Sequence, residues 1–200
     1  KYMSGSALND FESHVSNERT HLSQVRRAFT KSLEIQNVDP GLVSFYVACS
    51  NYFDFSLKRL INQDYILHDL LLPHVEADNT EYKNKLESLS KGLGAMEKSM
   101  AQLNNAKNQL VSSGLYEIDL FKKEAAHFLD VFINMLATNR HSTYDLEKQV
   151  FKPEDWKQIA GVTEESINNE NTLYNDVKLS APKGCEPESF PPIGHHEKPK

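Results

Sequence analysis

The chain has 200 residues, of which 39% are apolar, and a formal net charge of −6. No basic stripe is present, which argues against nucleic acid or an anionic membrane as the main partner. No apolar run approaches the roughly 20 residues that span a bilayer. A mean hydropathy of −0.56 fits a helical bundle with wide solvated faces, and the length fits one domain with or without a tail.

The cysteine pattern and the first residues bear on the compartment. The two cysteines, Cys49 in a helical pattern and Cys185 in a Pro-rich region, do not form a disulfide framework. A bridge between them stays open, without support from the sequence. The chain begins KYMSGSAL, without an initiator methionine, which removal of a signal peptide or trimming of the sequence would explain. The compartment stays open, with an exported or periplasmic location favoured over a cytoplasmic one.

Apolar residues at alternating spacings of three and four predict four long amphipathic helices. They run over residues 7–35, 42–74, 80–111 and 116–151. Pro40 and Gly41 separate the first two helices, and ADNTEY supplies cap residues before the third. Two glycines in KGLGAM, inside the third helix, indicate a point of close packing. Short loops between helices of this length predict an up-down-up-down four-helix bundle.

The bundle is predicted to occupy residues 1–151. Residues 152–178, with the only tryptophan, predict a short C-terminal helical extension that packs on it. Residues 179–200 are Pro-rich and polar, and they predict a mobile tail.

Polar residues interrupt the apolar stripes at nearly one level of the predicted bundle. Glu18 lies in the first helix, and Asp64 and His68 lie one turn apart in the second. His141 and Asp145 repeat that spacing near the end of the fourth. A buried carboxylate must be paired, hydrogen-bonded or metal-bound, and layers of this kind hold metals in four-helix bundles. Imidazole with carboxylate suits iron, manganese or zinc.

Two stretches of the sequence resemble a known family. QDYILHDLLLPHV is similar to the end of the second helix of the hemerythrin-like, or HHE cation-binding, domains. RHSTYDLEKQVF followed by EDWKQIA is similar to the end of their fourth helix. The resemblance covers residues 11–156 and implies the same four-helix fold. Members of the family bind two irons and handle dioxygen, nitric oxide or redox signals.

The resemblance implies a ligand set with changes. Helix one has Glu18 in place of the family's histidine, with His21 one turn on, and helix three has no histidine. The implied cofactor is iron in a mononuclear or remodelled dinuclear site, or no metal at all. The candidate ligands are Glu18, Asp64, His68, His141 and Asp145, with His21 as a possible additional ligand.

The residues leave structural alternatives open. Asp64 and His68 also suit a buried hydrogen-bonded pair, and Glu18 suits a salt bridge to Arg19, Arg59 or Arg140. His141 and Asp145 also suit a solvated helix face.

Three functions follow. The first is a non-haem metal protein that binds or senses a small diatomic ligand, oxygen or nitric oxide. The second is a metal-free bundle that acts through its surface on a protein partner or as a regulatory module, which predicts that the polar layer closes by direct hydrogen bonds. The third is a metal-dependent oxidase, which predicts an open cavity beside the metal. No nucleophilic triad or phosphate-binding loop is present, so an enzyme is less favoured.

Overall fold

The structure, a computed structural model, describes the backbone of residues 5–139 and 141–191 and the side chains from residue 13 onward. All regular elements in these ranges are helical, which confirms the all-α prediction. Seven α-helices are described: α1 Gly5–Ser32, α2 Pro40–Leu71, α3 Thr80–Ser113, α4 Ile118–Asn139, α5 Tyr144–Val150, α6 Pro153–Ala160 and α7 Glu164–Ser180. Short 3-10 turns lie at Leu72–His74, Gly114–Glu117 and Pro187–Ser189.

Contacts divide the chain into two compact units. The first unit combines the residues up to Ser56 with those from Val162 onward, and the second unit is Leu57–Gly161. Helix α2 gives its N-terminal half to the first unit and its C-terminal half to the second. The sequence analysis placed its boundaries at residues 151 and 178, and these remain a prediction. The division by contacts reflects the packing of α7 against α1.

The first unit is built around α1, the first half of α2 and α7. Helix α7 packs against α1, and the turn Pro187–Ser189 packs against both. The apolar core of this unit includes Val25, Phe29, Phe45, Tyr46, Tyr52, Phe53 and Val177. Thr163 begins α7 with a capping box: its hydroxyl accepts from Ser166 N, and Ser166 Oγ accepts from Thr163 N.

The C-terminal segment of the first unit, residues 181–191, was assigned to a mobile tail in the sequence analysis. In the structure it packs along α1. Gln24 Nε2 donates to the Phe190 carbonyl at 3.0 Å, and Arg27 donates to the Pro191 carbonyl at 2.7 Å. Cys185 is buried as well. Residues 192–200 lie outside the described residues.

The second unit contains a helical hairpin of α3 and α4, joined by the turn Gly114–Glu117. Its core combines apolar residues of both helices, among them Leu89, Leu93, Met96, Leu103, Phe121, Phe128 and Phe132. Gly92 marks a close approach of α3 and α4, since a Cβ there would lie 2.7 Å from Asn139 Nδ2 at the end of α4. One of the two glycines in KGLGAM is therefore a close-packing point, as predicted.

The predicted fourth helix is two helices in the structure. Helix α4 ends at Asn139, and α5 begins at Tyr144. His141, between them, has a φ of 64°, in the left-handed region that non-glycine residues rarely adopt. The prediction of one helix to residue 151 was wrong because the apolar stripe continues through Leu146 and no proline or glycine marks the break.

Candidate functional site

The residues predicted as metal ligands are distributed over both units. Glu18 and His21 lie on α1, in the first unit, while Asp64 and His68 lie on the half of α2 that belongs to the second unit. His141 lies in the turn before α5, also in the second unit. Asp145 lies on α5 itself.

Within the second unit, two of the four predicted ligands, Asp64 and His68, are half-buried. His68 Nδ1 lies 3.1 Å from Oδ1 of the exposed Asp69. His141 and Asp145 are both exposed, and because α4 ends at Asn139 and α5 begins at Tyr144, they lack the one-turn spacing that a continuous helix would give them. In the part of the chain that the structure describes, no three His, Cys, Asp or Glu side chains form a group that could hold a metal ion. The metal site formed by the predicted ligands therefore stays a prediction.

A buried polar cluster lies instead in the first unit, and His21 belongs to it. Oε1 of Glu170, on α7, lies 2.6 Å from His21 Nδ1 and accepts a hydrogen bond from the Tyr52 hydroxyl at 2.8 Å. Since an ionised carboxylate only accepts, His21 donates from Nδ1. The side chains of His21 and Glu170 are 23% and 5% exposed. Three separate helices thus meet at one carboxylate oxygen.

Further contacts, made by Tyr174 and Gln24, hold the His21 ring in place. The ring stacks on Tyr174 with a centroid separation of 3.7 Å and an interplanar angle of 6°. The Tyr174 hydroxyl donates to Gln24 Oε1 at 2.6 Å, and Gln24 in turn donates to the Phe190 carbonyl. Because His21 and Gln24 are three residues apart on α1, and Glu170 and Tyr174 are four apart on α7, each pair lies on one helix face.

Burial affects the ionisation of the tyrosines in this unit. Burial, followed by the negative charge of Glu170, raises the pKa of Tyr52 well above its ordinary value. Burial also raises the pKa of Tyr174 to about 12, with Glu188 and Glu170 adding to the effect. Both phenols therefore stay protonated at neutral pH and act as hydrogen-bond donors.

The cluster closes by direct hydrogen bonds between protein groups. Tyr52 and His21 both donate to Glu170, which satisfies a buried carboxylate without an added ion. We call the residues His21, Gln24, Tyr52, Glu170 and Tyr174 the polar cluster.

The sequence analysis found His21 but missed the rest of the cluster. Glu170 lies in a polar helix where an acidic residue is usually exposed, and it contacts residues more than a hundred positions away. One signal was available: Glu170, Tyr174 and Val177 follow the four-three spacing of a buried helix face.

A second feature is an exposed apolar set at the corner between α3 and α4. Val111, Leu115, Tyr116 and Leu120 are 63%, 47%, 96% and 37% exposed. All four lie within residues 111–120, which include the turn between the helices. We call this region the α3–α4 corner.

Comparison of the chain with protein-family models, with curated proteins and with solved structures found no match. Among the described helices, none combines the length and the apolar character needed to cross a bilayer.

Proposed function

We propose that this chain is a protein-interaction module that binds a partner through the α3–α4 corner. The partner is a segment with apolar side chains flanked by Lys or Arg. One observation carries this proposal: four large apolar side chains are exposed within ten residues, and Tyr116 is 96% exposed. A cluster of exposed apolar residues on a folded surface is typical of a binding site, and tyrosine is enriched among the residues that dominate binding energy.

The charge of the corner supports the choice of a basic partner. Residues 108–121, which lie between Lys107 and Lys122, contain Glu117 and Asp119 and no Lys, Arg or His. The whole chain also carries a formal net charge of −6. Basic residues beside the apolar part of the partner would pair with these carboxylates and speed association.

The α3–α4 corner is anchored by buried residues on both sides, which suits a binding surface. Leu110 and Phe121, which flank the corner, are 1% and 0% exposed and anchor both helices in the core of the second unit. Gly114 ends α3 with a φ of 71°, and its N–H donates to the Leu110 carbonyl. The exposed side chains therefore project from a fixed turn, which lowers the entropic cost of binding.

The functions that need a metal have less support. Oxygen or nitric-oxide sensing and oxidase chemistry both require a ligand group, and the described residues offer no set of three such side chains. The polar cluster uses its donors and its carboxylate on one another. We therefore base the proposed function on the surface.

A peptide selection tests the proposal. Random peptides displayed on phage are selected on the immobilised chain, and the enriched peptides are retested on Tyr116→Asp. We expect peptides that combine apolar residues with Lys or Arg and that no longer bind Tyr116→Asp. The control is Leu179→Asp, which places the same charge at a leucine that is 79% exposed on α7. Peptides that bind Tyr116→Asp and the original chain equally would contradict the proposal.

A further inference from the structure

The two cysteines both belong to the first unit and both are buried. Cys49 lies on α2 and is 0% exposed, and Cys185 lies in the segment after α7 and is 2% exposed. Both are free thiols in the structure. They are separated by most of the chain, so their common location is a result of the fold.

Two sets of contacts place both cysteines near the C-terminal end of α1. Tyr46 lies three residues before Cys49, on the same face of α2, and its hydroxyl donates to the Ser32 carbonyl at 2.9 Å. On the other side, the Cys185 N–H donates to the Pro182 carbonyl at 2.9 Å and closes a turn. Gly184 lies in that turn.

The turn at Cys185 also contacts the last residues of α1. A Cβ added to Gly184 would lie 3.6 Å from Lys31 Nζ, and Lys31 directly precedes Ser32. Tyr46 interacts electrostatically with both thiols, and the thiols interact with each other. The turn and the Tyr46–Cys49 face of α2 therefore both lie at the C-terminal end of α1.

We propose that Cys49 and Cys185 form an intramolecular disulfide under oxidising conditions, which fixes the C-terminal segment 181–191 to α2. The bond would hold in place the carbonyls of Phe190 and Pro191, to which Gln24 and Arg27 donate. This inference does not depend on the proposed binding function, because the α3–α4 corner belongs to the other unit.

The chemistry requires an oxidant, which we take to be a small-molecule disulfide such as oxidised glutathione. One cysteine thiolate attacks a sulfur of that disulfide, forms a mixed disulfide and releases one glutathione thiolate. The second cysteine then attacks the mixed disulfide and releases the other. The two cysteines lose two electrons and two protons, and two glutathione thiols result.

The order of attack follows from the surroundings of the two thiols. Complete burial raises the pKa of Cys49 well above its ordinary value. Burial also raises the pKa of Cys185, but the ammonium group of Lys31 opposes that effect. We therefore expect Cys185 to react first and Cys49 to close the bond.

A redox titration of the full chain tests the inference. The protein is equilibrated in buffers of reduced and oxidised glutathione, quenched with an alkylating agent in denaturant, and analysed by intact mass. The expected product is a monomer that has lost two hydrogens and takes up no alkylating agent. The same titration in concentrated guanidinium chloride gives the reference for an unfolded chain. We expect the native fold to favour the disulfide by at least about tenfold in equilibrium constant over the unfolded chain.

Single-cysteine variants distinguish the roles of the two thiols, and three results would contradict the inference. Cys49→Ser should stop at a mixed disulfide of Cys185 with glutathione, whereas Cys185→Ser should leave the deeply buried Cys49 as a free thiol. Reduction of the oxidised chain should lower its thermal midpoint by about 10 °C, since the bond closes a very long loop. Two alkylated thiols in oxidising native buffer, a disulfide between chains, or an equal equilibrium constant in guanidinium would each overturn the inference.

Discussion

His21 and Glu170 are 149 residues apart in the sequence, and His21 Nδ1 lies 2.6 Å from Glu170 Oε1. The contact connects α1 to α7, the first and last helices of the first unit. Tyr52, on α2, donates to the same carboxylate oxygen at 2.8 Å. A single buried carboxylate therefore joins three helices. The loss of that carboxylate should weaken the whole unit.

Replacement of Glu170 by glutamine should destabilise the fold. The amide keeps the shape of the side chain but removes the charge that His21 and Tyr52 donate to. Hydrogen bonds to a charged group contribute about 1.5–3 kcal/mol, and we expect Glu170→Gln to lower the free energy of unfolding by that amount. Urea unfolding followed by circular dichroism measures it. The control is Glu165→Gln, at an exposed position of the same helix, which should change the free energy of unfolding by less than about 0.5 kcal/mol. Equal effects of the two variants would show that the Glu170 carboxylate does not hold the three helices together.

Stability should fall as the pH rises above 10. Burial raises the pKa of Tyr46 and of Tyr174 from 10.0 to about 12, and it also raises the pKa of Tyr52 well above its ordinary value. Above pH 10 an unfolded chain loses these phenolic protons while the folded chain keeps them, so ionisation favours unfolding. The stabilising contribution of these protonated phenols is constant below that pH. It decreases as the pH approaches the tyrosine pKa values of the folded chain.

A spectrophotometric titration of phenolate absorbance measures this effect. The chain has eight tyrosines. We expect the three buried ones, Tyr46, Tyr52 and Tyr174, to ionise late, together with the loss of helical signal. Tyr52→Phe should remove part of this late absorbance. If all tyrosines ionised in one early step while the helical signal persisted, the burial of the cluster would be refuted.

The two glycines of α3 should respond oppositely to alanine. Nothing lies within 4 Å of a Cβ added at Gly94, so Gly94→Ala should raise the free energy of unfolding by about 0.5–1 kcal/mol through helix propensity. At Gly92 a Cβ would lie 2.7 Å from Asn139 Nδ2, and the shift of Asn139 would disturb its contact with Ser88. Gly92→Ala should therefore be less stable than Gly94→Ala by about 1 kcal/mol or more. Thermal and urea unfolding compare the two variants, and equal gains would argue against close packing of α3 with α4.

The polar cluster should be stable without metal. Its carboxylate is satisfied by Tyr52 and His21, so a chelator should leave the thermal midpoint unchanged. Elemental analysis is best made on a chain in which His195 and His196 are both alanine, because these two residues could hold stray metal. Stoichiometric iron, manganese or zinc that disappears in His21→Ala would contradict this account and restore a metal-based function.

The sequence was a good guide to local structure. The helix predicted over 42–74 is α2, Pro40–Leu71, and the one predicted over 80–111 is α3, Thr80–Ser113. Both have long apolar stripes and clear breaks at their ends, such as the cap residue Asn79, which accepts from Tyr82 N. The helices predicted after residue 152 are also present, as α6 and α7.

The sequence was a poor guide to which helices meet. The prediction that Glu18, Asp64 and His141 lie at one level of the bundle assumed four unbroken helices side by side. In the structure α4 ends at Asn139, before His141. A positive φ at His141 has no sequence signal comparable to a glycine. The pairing of His21 with Glu170 depends on how α7 returns to α1, and neither residue type nor periodicity specifies that return. The specific up-down-up-down bundle and the family resemblance remain predictions.

The most direct test of the proposed function is the dissociation constant of the strongest selected peptide for two variants, measured by fluorescence anisotropy. Tyr116→Ala removes the most exposed side chain of the α3–α4 corner, and Leu179→Ala removes an exposed leucine elsewhere. Circular dichroism confirms that both variants are folded. The account predicts that Tyr116→Ala weakens binding by at least about tenfold, as expected for a residue that dominates an interface, and that Leu179→Ala leaves it unchanged. Equal affinities of the two variants would contradict the assignment of binding to the corner.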